Sequence, residues 1–99
     1  MSASALAILG AGRMGFAIAH SLVSRRVFRP AELMLADPSA ESRTRARRLR
    51  CCVTADARAA ASQSRAILLA VKPQKIVEVA QLIRPEVRGK LVISILAGA

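Results

Sequence analysis

Short apolar runs alternate along the chain with segments whose apolar residues recur at helical spacing. Residues 5–9 and 33–36 form apolar runs too short for a helix, which is typical of strands buried on both faces. Further runs at 51–54, 66–71 and 91–96 predict three more strands. Strands that alternate with helices imply right-handed crossovers between parallel strands. The pattern therefore predicts an α/β fold, a doubly wound parallel sheet of about five strands in a single domain.

The segments between these strands predict four helices. The first begins near residue 14. Its predicted inner face has residues at the spacing i, i+3, i+4, i+7 and i+8, namely Met14, Ala17, Ile18, Ser21 and Leu22. In an Arg-rich second helix, the residues that should face the sheet are Ala40, Ala46 and Leu49. A small Ala-rich helix is predicted at 56–62. Pro73 suits the start of the fourth helix. The residues of this helix that should face the sheet are Ile76, Val79, Ala80 and Ile83.

Three glycines stand between the first predicted strand and the first predicted helix. Gly10, Gly12 and Gly15 have the spacing Gly-x-Gly-x-x-Gly. In such a loop the first glycine permits a tight turn, the second lets the backbone approach a pyrophosphate, and the third lets helix and strand pack closely. A plain turn needs one glycine and not three. The placement therefore predicts a dinucleotide-binding loop that includes Met14, and Arg13 either reaches the pyrophosphate or remains solvated.

Asp37 ends the second predicted strand 22 positions after Gly15, and its role has two interpretations. An acid at this place commonly binds the ribose hydroxyls of NAD, which would favour NAD over NADP. Asp37 followed by Pro38 is also a good helix N-cap with proline in the first turn. The residues just after Pro38 offer the hydrogen-bond donors and the positive charge that a 2′-phosphate of NADP requires. They are Ser39, Arg43, Arg45 and Arg47. The sequence leaves the choice of cofactor open.

Composition and charge narrow the remaining classes of function. The 99 residues are 54% hydrophobic but only 2% aromatic, and the formal net charge is +10. Nucleic-acid-binding proteins usually combine such charge with stacking aromatics, so we expect no nucleic-acid partner. The sequence has no leader and no apolar run of the roughly 18 residues that cross a bilayer. The two cysteines, Cys51 and Cys52, are neighbours that would form only a strained disulfide. We expect a cytoplasmic protein without a membrane segment, disulfide or metal site.

Three stretches resemble pyrroline-5-carboxylate reductase, and the resemblance extends over essentially all 99 residues. Residues 8–15, Ile-Leu-Gly-Ala-Gly-Arg-Met-Gly, are shared by nucleotide-binding domains in general. Residues 68–74, Leu-Leu-Ala-Val-Lys-Pro-Gln, and residues 91–98, Leu-Val-Ile-Ser-Ile-Leu-Ala-Gly, are far more specific to this family. Deazaflavin-dependent NADP reductases and some hydroxyacid dehydrogenases share the first stretch, but their later turns differ from the second.

The resemblance implies a Rossmann-type domain that binds NADP(H), with NAD(H) as the alternative cofactor. It implies that hydride from this cofactor reduces the ring imine of 1-pyrroline-5-carboxylate to proline. By the same resemblance the glycine loop holds the pyrophosphate, and the adenosine ribose is held by Asp37, Pro38 and Ser39. The nicotinamide end would be held by Val71, Lys72, Pro73 and Ala97. Lys72 is otherwise a solvent-exposed turn lysine, and Pro73 otherwise only starts a helix.

Some features depart from the family pattern. The family often has Asn where Arg13 and Ala57 stand and Asp where Arg65 stands, and the change at Ala57 removes a side chain that helps hold the cofactor. The family's helical second domain, which dimerises and binds the imine, would begin where this chain ends. No catalytic acid or base constellation is present, since His20 falls off the apolar stripe of its helix.

These departures set the expectations for activity and partners. We expect the dinucleotide to bind, but we expect 1-pyrroline-5-carboxylate to bind only with the second domain. The chain should therefore be inactive by itself, and monomeric although its relatives are oligomers. The alternatives are the nucleotide-binding domain of another NADP-dependent reductase and, from a different class, a free-standing basic nucleotide-binding module without catalysis.

Overall fold

A computed structural model describes residues 4–95 and places five parallel strands in one sheet. In chain order the strands are β1 (Ser4–Leu9), β2 (Leu33–Ala36), β3 (Cys52–Thr54), β4 (Ser64–Leu69) and β5 (Leu91–Ser94). They lie side by side in the order β3-β2-β1-β4-β5, and every pairing is parallel. The predicted doubly wound α/β sheet of a Rossmann-type domain is confirmed.

Four helices connect these strands and cover both faces of the sheet. They are α1 (Arg13–Ser24), α2 (Ala40–Arg47), α3 (Ala57–Ser62) and α4 (Ile76–Ile83). Short 3-10 helices lie at Pro30–Glu32, Pro73–Lys75 and Arg84–Glu86. Residues of α1 and α2 pack into one core, and residues of α3 and α4 pack into a second core on the opposite face. Within residues 4–95 no helix has both the length and the apolar character needed to cross a membrane.

The central strand β1 contributes to both cores because its side chains alternate between the two faces. Leu6 and Ile8 pack in the core under α1 and α2, whereas Ala7 and Leu9 pack in the core under α3 and α4. β2 and β4 flank β1 on its two sides, so that no edge of β1 meets solvent. This burial explains why its sequence is a continuous apolar run without polar alternation.

The buried face of α1 is shifted by one residue from the predicted stripe. Its inner side consists, still at helical spacing, of Gly15, Ile18, Ala19, Leu22 and Val23. The predicted positions Ala17 and Ser21 are exposed. A Cβ atom on Gly15 would overlap the carbonyl oxygen of Gly10, so only glycine allows this closeness of helix and strand. The prediction began the stripe at Met14, whereas the closest approach to the end of β1 is made by Gly15.

Smaller corrections concern the other predicted elements. Ala40 and Ala80 are exposed, although both were predicted to face the sheet. Ala40 is the first residue of α2. In α4 the stripe that meets the core is narrower than predicted and comprises Ile76, Val79 and Ile83. β4 ends at Leu69, which leaves Val71 in the following turn, and β5 ends at Ser94.

Polar contacts and thiols distinguish the two edges of the sheet. Lys90, directly before β5, donates from Nζ to the carbonyl oxygens of Ala61 at 2.6 Å and Ser62 at 3.1 Å, at the C-terminal end of α3.

At the other edge, β3 is preceded by Cys51, which is buried against the core, and begins with Cys52, which is exposed. Burial, and to a smaller extent the neighbouring Cys52 thiol, raise the pKa of Cys51.

Candidate functional site

The carboxyl ends of β1, β2 and β4 lie together because the hydrogen-bonded ladder continues past the strands into the loops. The N–H of Gly10 donates to the carbonyl oxygen of Ala36 at 2.7 Å. The N–H of Ala70 donates to the carbonyl oxygen of Leu9 at 2.9 Å. The glycine loop is therefore fixed between the turn after β2 and the turn after β4, at the edge where parallel α/β sheets bind their ligands.

Each of the three glycines in the loop has a different steric environment. Gly10 has a φ of +105°, and a Cβ there would lie 2.8 Å from the carbonyl oxygen of Ala70. Gly15 is covered by the loop itself, as described for α1. Gly12 has no atom within 4 Å of the place where a Cβ would stand. A side chain is thus excluded at two positions by the protein, and at the third position it would project into open space.

Gly12 lines two cavities. The larger, of about 360 Å³, extends from Gly12 past Asp37 and Ala57 to Val79 in α4. The smaller, of about 310 Å³, extends from Gly12 past Met14 to Ile95. Both are lined by Gly12, Ala70, Val71 and Lys72. The glycine loop and the turn after β4 therefore form a wall that the two cavities share, and the two cavities are together called the two-part groove.

Most of the residues predicted from the sequence line this groove. The larger part is lined, among others, by Gly10, Gly12, Asp37, Pro38, Val71 and Lys72. The smaller part is lined, among others, by Gly12, Arg13, Met14, Val71, Lys72 and Pro73. Gly15 lies beneath the loop, and Ser39 is an exposed residue at the start of α2. Ala97 lies outside the described residues.

Asp37 does not cap a helix, so one of the two interpretations of this residue is wrong. Helix α2 begins two residues later than that interpretation requires, and its N-cap is Ser39, whose Oγ accepts from the N–H of Ser42 at 3.3 Å. The Asp37 carboxylate instead accepts two other backbone N–H groups. Its Oδ2 accepts from Ala11 at 2.7 Å, and its Oδ1 accepts from Ser39 at 2.8 Å. Asp37 therefore connects the glycine loop to the start of α2.

The arginines that follow Asp37 are not equivalent. Nη1 of Arg43 donates to the carbonyl oxygens of Asp37 at 2.9 Å and Pro38 at 2.8 Å, which places its guanidinium at the turn after β2. Arg45 lies in a separate groove along α2 with Glu41, Thr44 and Arg48. Arg47 is exposed near the C-terminal end of α2. Of the three arginines considered from the sequence, Arg43 is the one whose side chain is bonded to residues that line the larger cavity.

Several lining residues were missed because their sequence signals indicated other roles. The larger cavity is also lined by Ala55, Lys75, Glu78 and Val79. Val79 was counted only as a core residue of α4, yet it lies where the core opens into the groove. Lys75 and Glu78 form an exposed ion pair with 3.8 Å between Nζ and Oε1, a type that contributes little to stability. Ala57 presents only a methyl group to the cavity, where the resembling family often has Asn.

Comparisons with known proteins agree with this architecture. A family model described as NADP oxidoreductase, coenzyme F420-dependent, matches residues 5–98. Pyrroline-5-carboxylate reductase 3 of Xenopus laevis is 33% identical over 91 residues, which are 91% of this chain and 33% of the relative. The pyrroline-5-carboxylate reductase of Synechocystis sp. is 35% identical over 94 residues, which are 94% of this chain and 35% of the relative. The chain thus spans about a third of the length of these relatives.

Solved structures of similar proteins support the same fold. Plasmodium falciparum pyrroline carboxylate reductase with NADP bound has a TM-score of 0.81 and 28% identity, covering 97% of this chain and 34% of that one. A pyrroline-5-carboxylate reductase from Coxiella burnetii has a TM-score of 0.87 at 23% identity, covering 96% of this chain and 36% of that one, and supports the fold alone. The resemblance derived from residues 8–15, 68–74 and 91–98 is confirmed by these comparisons.

Proposed function

Since the chain belongs to the family described as NADP oxidoreductase, coenzyme F420-dependent, we propose that it is the cofactor-binding part of a pyrroline-5-carboxylate reductase. In this proposal NADP(H) lies along the groove at the carboxyl ends of β1, β2 and β4. When bound, the cofactor supplies the hydride that reduces a C=N bond. The residues of this chain bind the two halves of the cofactor and orient its nicotinamide.

One observation carries the proposal, namely that two cavities meet at a glycine whose missing side chain leaves the space free. A dinucleotide consists of two nucleotides joined by a pyrophosphate, so its site requires two adjoining spaces and a junction that a charged linker can approach closely. Gly12 provides that junction, because nothing lies within 4 Å of its absent Cβ. It is also the N-cap of α1 and has no side chain to cap the helix, so the free N–H groups of the first turn are available to an anion.

We assign the two parts of the groove by the chemistry of their walls. The part lined by Asp37, Pro38 and Ala57 takes the adenosine half, with Ser39 at its rim. The part lined by Met14, Val71 and Pro73 takes the nicotinamide half, with Lys72 at the junction, where its charge favours the pyrophosphate. Arg13, which is exposed beside the same part, adds a second positive charge there. Ala97 belongs to this proposed set by resemblance alone.

Titration of the protein with NADPH by calorimetry tests the cofactor site. We expect Gly12→Val to abolish measurable binding while the melting temperature stays close to that of the wild type, because the branched side chain occupies the junction and its Cβ has no protein atom within 4 Å. Ala17→Val is a matched control, since it enlarges an exposed side chain on the outer face of the same helix. Unchanged affinity in Gly12→Val would remove the loop from the site and contradict the proposal.

We propose further that the 99-residue chain does not reduce the imine without additional protein. Holding the reacting carbon against the nicotinamide can supply roughly 7 to 11 kcal/mol of barrier lowering. In the smaller cavity the side chains that carry charge are Arg13 and Lys72, and neither provides an acid or base oriented by a partner. The substrate-binding groups would therefore come from a segment beyond this third of the relatives' length. NADPH oxidation followed with and without 1-pyrroline-5-carboxylate tests this, and imine-dependent turnover by the chain alone would contradict it.

A further inference from the structure

We propose that the edge of the sheet opposite the groove binds the phosphate backbone of a duplex nucleic acid. This edge, called the amino edge, comprises the amino ends of the five strands and the segments that lead into them from the preceding helices. The cofactor site lies at the carboxyl ends of the same strands, so the two proposals concern opposite sides of the molecule. The inference follows from where the topology places the positive charge of the chain.

Parallel pairing brings the starts of all five strands to one edge, and the helices that return the chain must end there as well. Two contacts show this arrangement. Lys90, which leads into β5, donates to the carbonyl oxygens of Ala61 and Ser62 at the end of α3. The N–H of Ser4, the first residue of β1, donates at 2.8 Å to the carbonyl oxygen of Gln63, which follows α3. Basic residues that are far apart in the sequence therefore share the amino edge.

Most of the formal net charge of +10 belongs to this edge. Residues 25–32, 47–50 and 84–90 together with Arg65 contain ten of the 16 Lys and Arg residues but only two of the six Asp and Glu residues. Both acids are already paired, since Glu32 lies 3.7 Å from Arg29 and Glu86 lies 2.8 Å from Arg58. The positive charge of the amino edge is thus largely left without acidic partners.

The densest part of the amino edge is an arginine cluster at the ends of α1 and α2, two helices that pack on the same face of the sheet. All of its members are exposed, and within residues 4–95 none of them forms an ion pair, namely Arg25, Arg26, Arg47, Arg48 and Arg50. A cation at the end of a helix suits its dipole, but this effect is small and fades beyond the last turn. It does not account for two or three arginines at each end. An anionic ligand would relieve their mutual repulsion.

Two arginines of the cluster also hold a backbone conformation that favours glycine. Arg26 has a φ of 59° and Arg50 has a φ of 65°, each in the turn that follows its helix. Glycine is the usual residue at such a place, because a Cβ in the left-handed region is strained. In the part of the chain that the structure describes, no other residue except glycine has a positive φ. The chain thus keeps arginine where glycine would be more stable, which indicates that the side chains are needed there.

The chemistry and the extent of the amino edge favour a duplex as the polyanion. Nine of its ten cations are arginines, whose planar guanidinium groups match the oxygens of a phosphate. They are spread across the sheet, since Arg50 lies just before β3 on one side and Arg88 just before β5 on the other, about 19 Å apart by strand spacing. A duplex carries one charge per about 1.7 Å along its axis and so matches a line of cations.

The expectation from the sequence that nucleic acid is not a partner was based on the lack of aromatic residues. Aromatic side chains stack on the bases of single strands. Contacts to the phosphates of a duplex position a protein without reading bases, and they require donors and positive charge alone. The amino edge meets this second requirement, so the inference is limited to binding that does not depend on the nucleotide sequence.

Fluorescence anisotropy with a short labelled DNA duplex of arbitrary sequence tests the proposal. We expect a Kd of roughly 1 to 100 µM at physiological salt and a steep loss of affinity as salt is added. A triple variant of the cluster should bind at least about 30-fold more weakly, with a salt dependence less steep by about 3 in the slope of log K against log salt, because three phosphate contacts are lost. Its substitutions are Arg47→Gln, Arg48→Gln and Arg50→Gln.

A matched control removes three positive charges from the carboxyl edge. Its substitutions are Arg13→Gln, Lys72→Gln and Lys75→Gln, and all three residues are exposed. β1 alone, with six residues, separates the two edges by about 17 to 20 Å, which exceeds the screening length of about 8 Å at physiological salt. We expect this control to change duplex affinity by less than about threefold. Equal weakening in both triple variants would overturn the inference, since it would show attraction to the net charge alone.

A second variant separates lost binding from lost folding. Arg26→Gly combined with Arg50→Gly removes two charges and also relieves the backbone strain. We expect it to melt at a higher temperature than the wild type and yet to bind the duplex roughly tenfold more weakly. Unchanged affinity in this more stable variant would contradict a role for the two side chains.

Competition and alternative probes decide the remaining outcomes. NADPH should not displace the duplex, and displacement would place the duplex in the groove and overturn the inference. Polyglutamate and vesicles that contain phosphatidylserine should bind more weakly than the duplex at the same salt concentration. Tighter binding of either one would assign the amino edge to an acidic protein or to a membrane surface. A wild type that does not bind the duplex even at low salt would also overturn the inference.

Discussion

Strands β4 and β5 are neighbours that each contain three consecutive large aliphatic residues, Ile67–Leu69 and Leu91–Ile93, yet their environments are opposite. They pair in parallel, with Ile67 opposite Val92 and Leu68 opposite Ile93. Ile67 is 0% exposed and Leu68 is 6% exposed, whereas Val92 is 39% and Ile93 is 43% exposed. β4 lies between β1 and β5 and contributes to the cores on both faces of the sheet, whereas β5, within residues 4–95, has a strand on one side only.

The difference teaches that local sequence selects a strand but position in the sheet decides its burial. Apolar β-branched residues favour the extended conformation in both strands. The stabilisation that follows depends on the apolar area removed from water, which is large in β4 and small in β5. The contribution of β5 therefore comes to a greater extent from its backbone pairing and from the polar contacts before it. Four measurements test the wider contrast between the buried interior of the molecule and the edges of its sheet, and they are ordered from the largest expected effect to the smallest.

The first compares Gly15→Ala in the interior with Gly89→Ala just before β5. A Cβ at Gly15 meets the backbone carbonyl of Gly10, which cannot move without breaking the loop, so we expect a loss of at least about 3 kcal/mol in unfolding free energy. Gly89 has a φ of +75° but open space around it, so its alanine variant should lose only about 1 kcal/mol. Urea denaturation measures both, and equal losses would contradict the contrast.

The second compares the same substitution in the two strands. Ile67→Ala removes a fully buried side chain and should cost about 2 to 5 kcal/mol through lost burial and the cavity left behind. Ile93→Ala removes a side chain that is 43% exposed and should cost less than about 1 kcal/mol. Chemical denaturation of the two variants side by side gives the difference. A loss at Ile93 as large as at Ile67 would mean that β5 is buried in solution.

The third concerns the polar attachment of β5. Lys90→Met keeps the aliphatic stem but removes the ammonium that bonds two carbonyl oxygens at the end of α3. We expect a loss of about 1 kcal/mol. Lys75→Met is the control, because its ammonium forms only an exposed ion pair and its loss should cost less than about 0.5 kcal/mol. Lys90→Met should therefore melt at a lower temperature than Lys75→Met. The reverse order would argue against Lys90 as an anchor.

The fourth concerns the opposite edge, where β3 follows a buried thiol. Burial raises the pKa of Cys51 in the folded protein, so the unfolded chain releases this proton at a lower pH than the folded one. The contribution of Cys51 to the unfolding free energy is fully present below the pKa of the unfolded thiol, about 8.5, and declines as the pH rises above that value. We expect unfolding free energies at pH 7.5 and 9.5 to show a small decline that Cys51→Ala reduces. An increase with pH in this window would contradict the assignment.

The sequence predicted best those parts of the molecule in which local chemistry decides the outcome. The bounds of β2 agree with the prediction at both ends, and the three glycines lie at the turn that their spacing indicated. In each case the residues concerned carry the signal themselves, as an apolar run or as the absence of a side chain. The same is true of the Val-Lys-Pro turn after β4, in which Val71 and Lys72 line both parts of the groove and Pro73 lines the smaller part.

The features that sequence could not predict depend on partners distant in the chain. Asp37 is bonded to the N–H of Ala11, 26 positions away, and no local pattern shows where a carboxylate will find its donor. Arg43 was one of several basic residues near Asp37, and only the path of α2 brings it to the turn. The inward face of α1 was displaced by one residue because close packing favours Gly15 and Ala19 over larger neighbours.

The exposure of β5 also bears on how the protein behaves at high concentration. Residues 91–95, Leu-Val-Ile-Ser-Ile, form an uncharged and proline-free segment at a sheet edge, the kind that recruits further strands into aggregates. Arg88 and Lys90 stand directly before it, and the formal net charge of +10 keeps copies apart by repulsion. Salt weakens that repulsion, because the screening length falls from about 10 Å at 0.1 M to about 3 Å at 1 M. Colloidal stability is therefore greatest at low ionic strength, and light scattering should rise as salt is added.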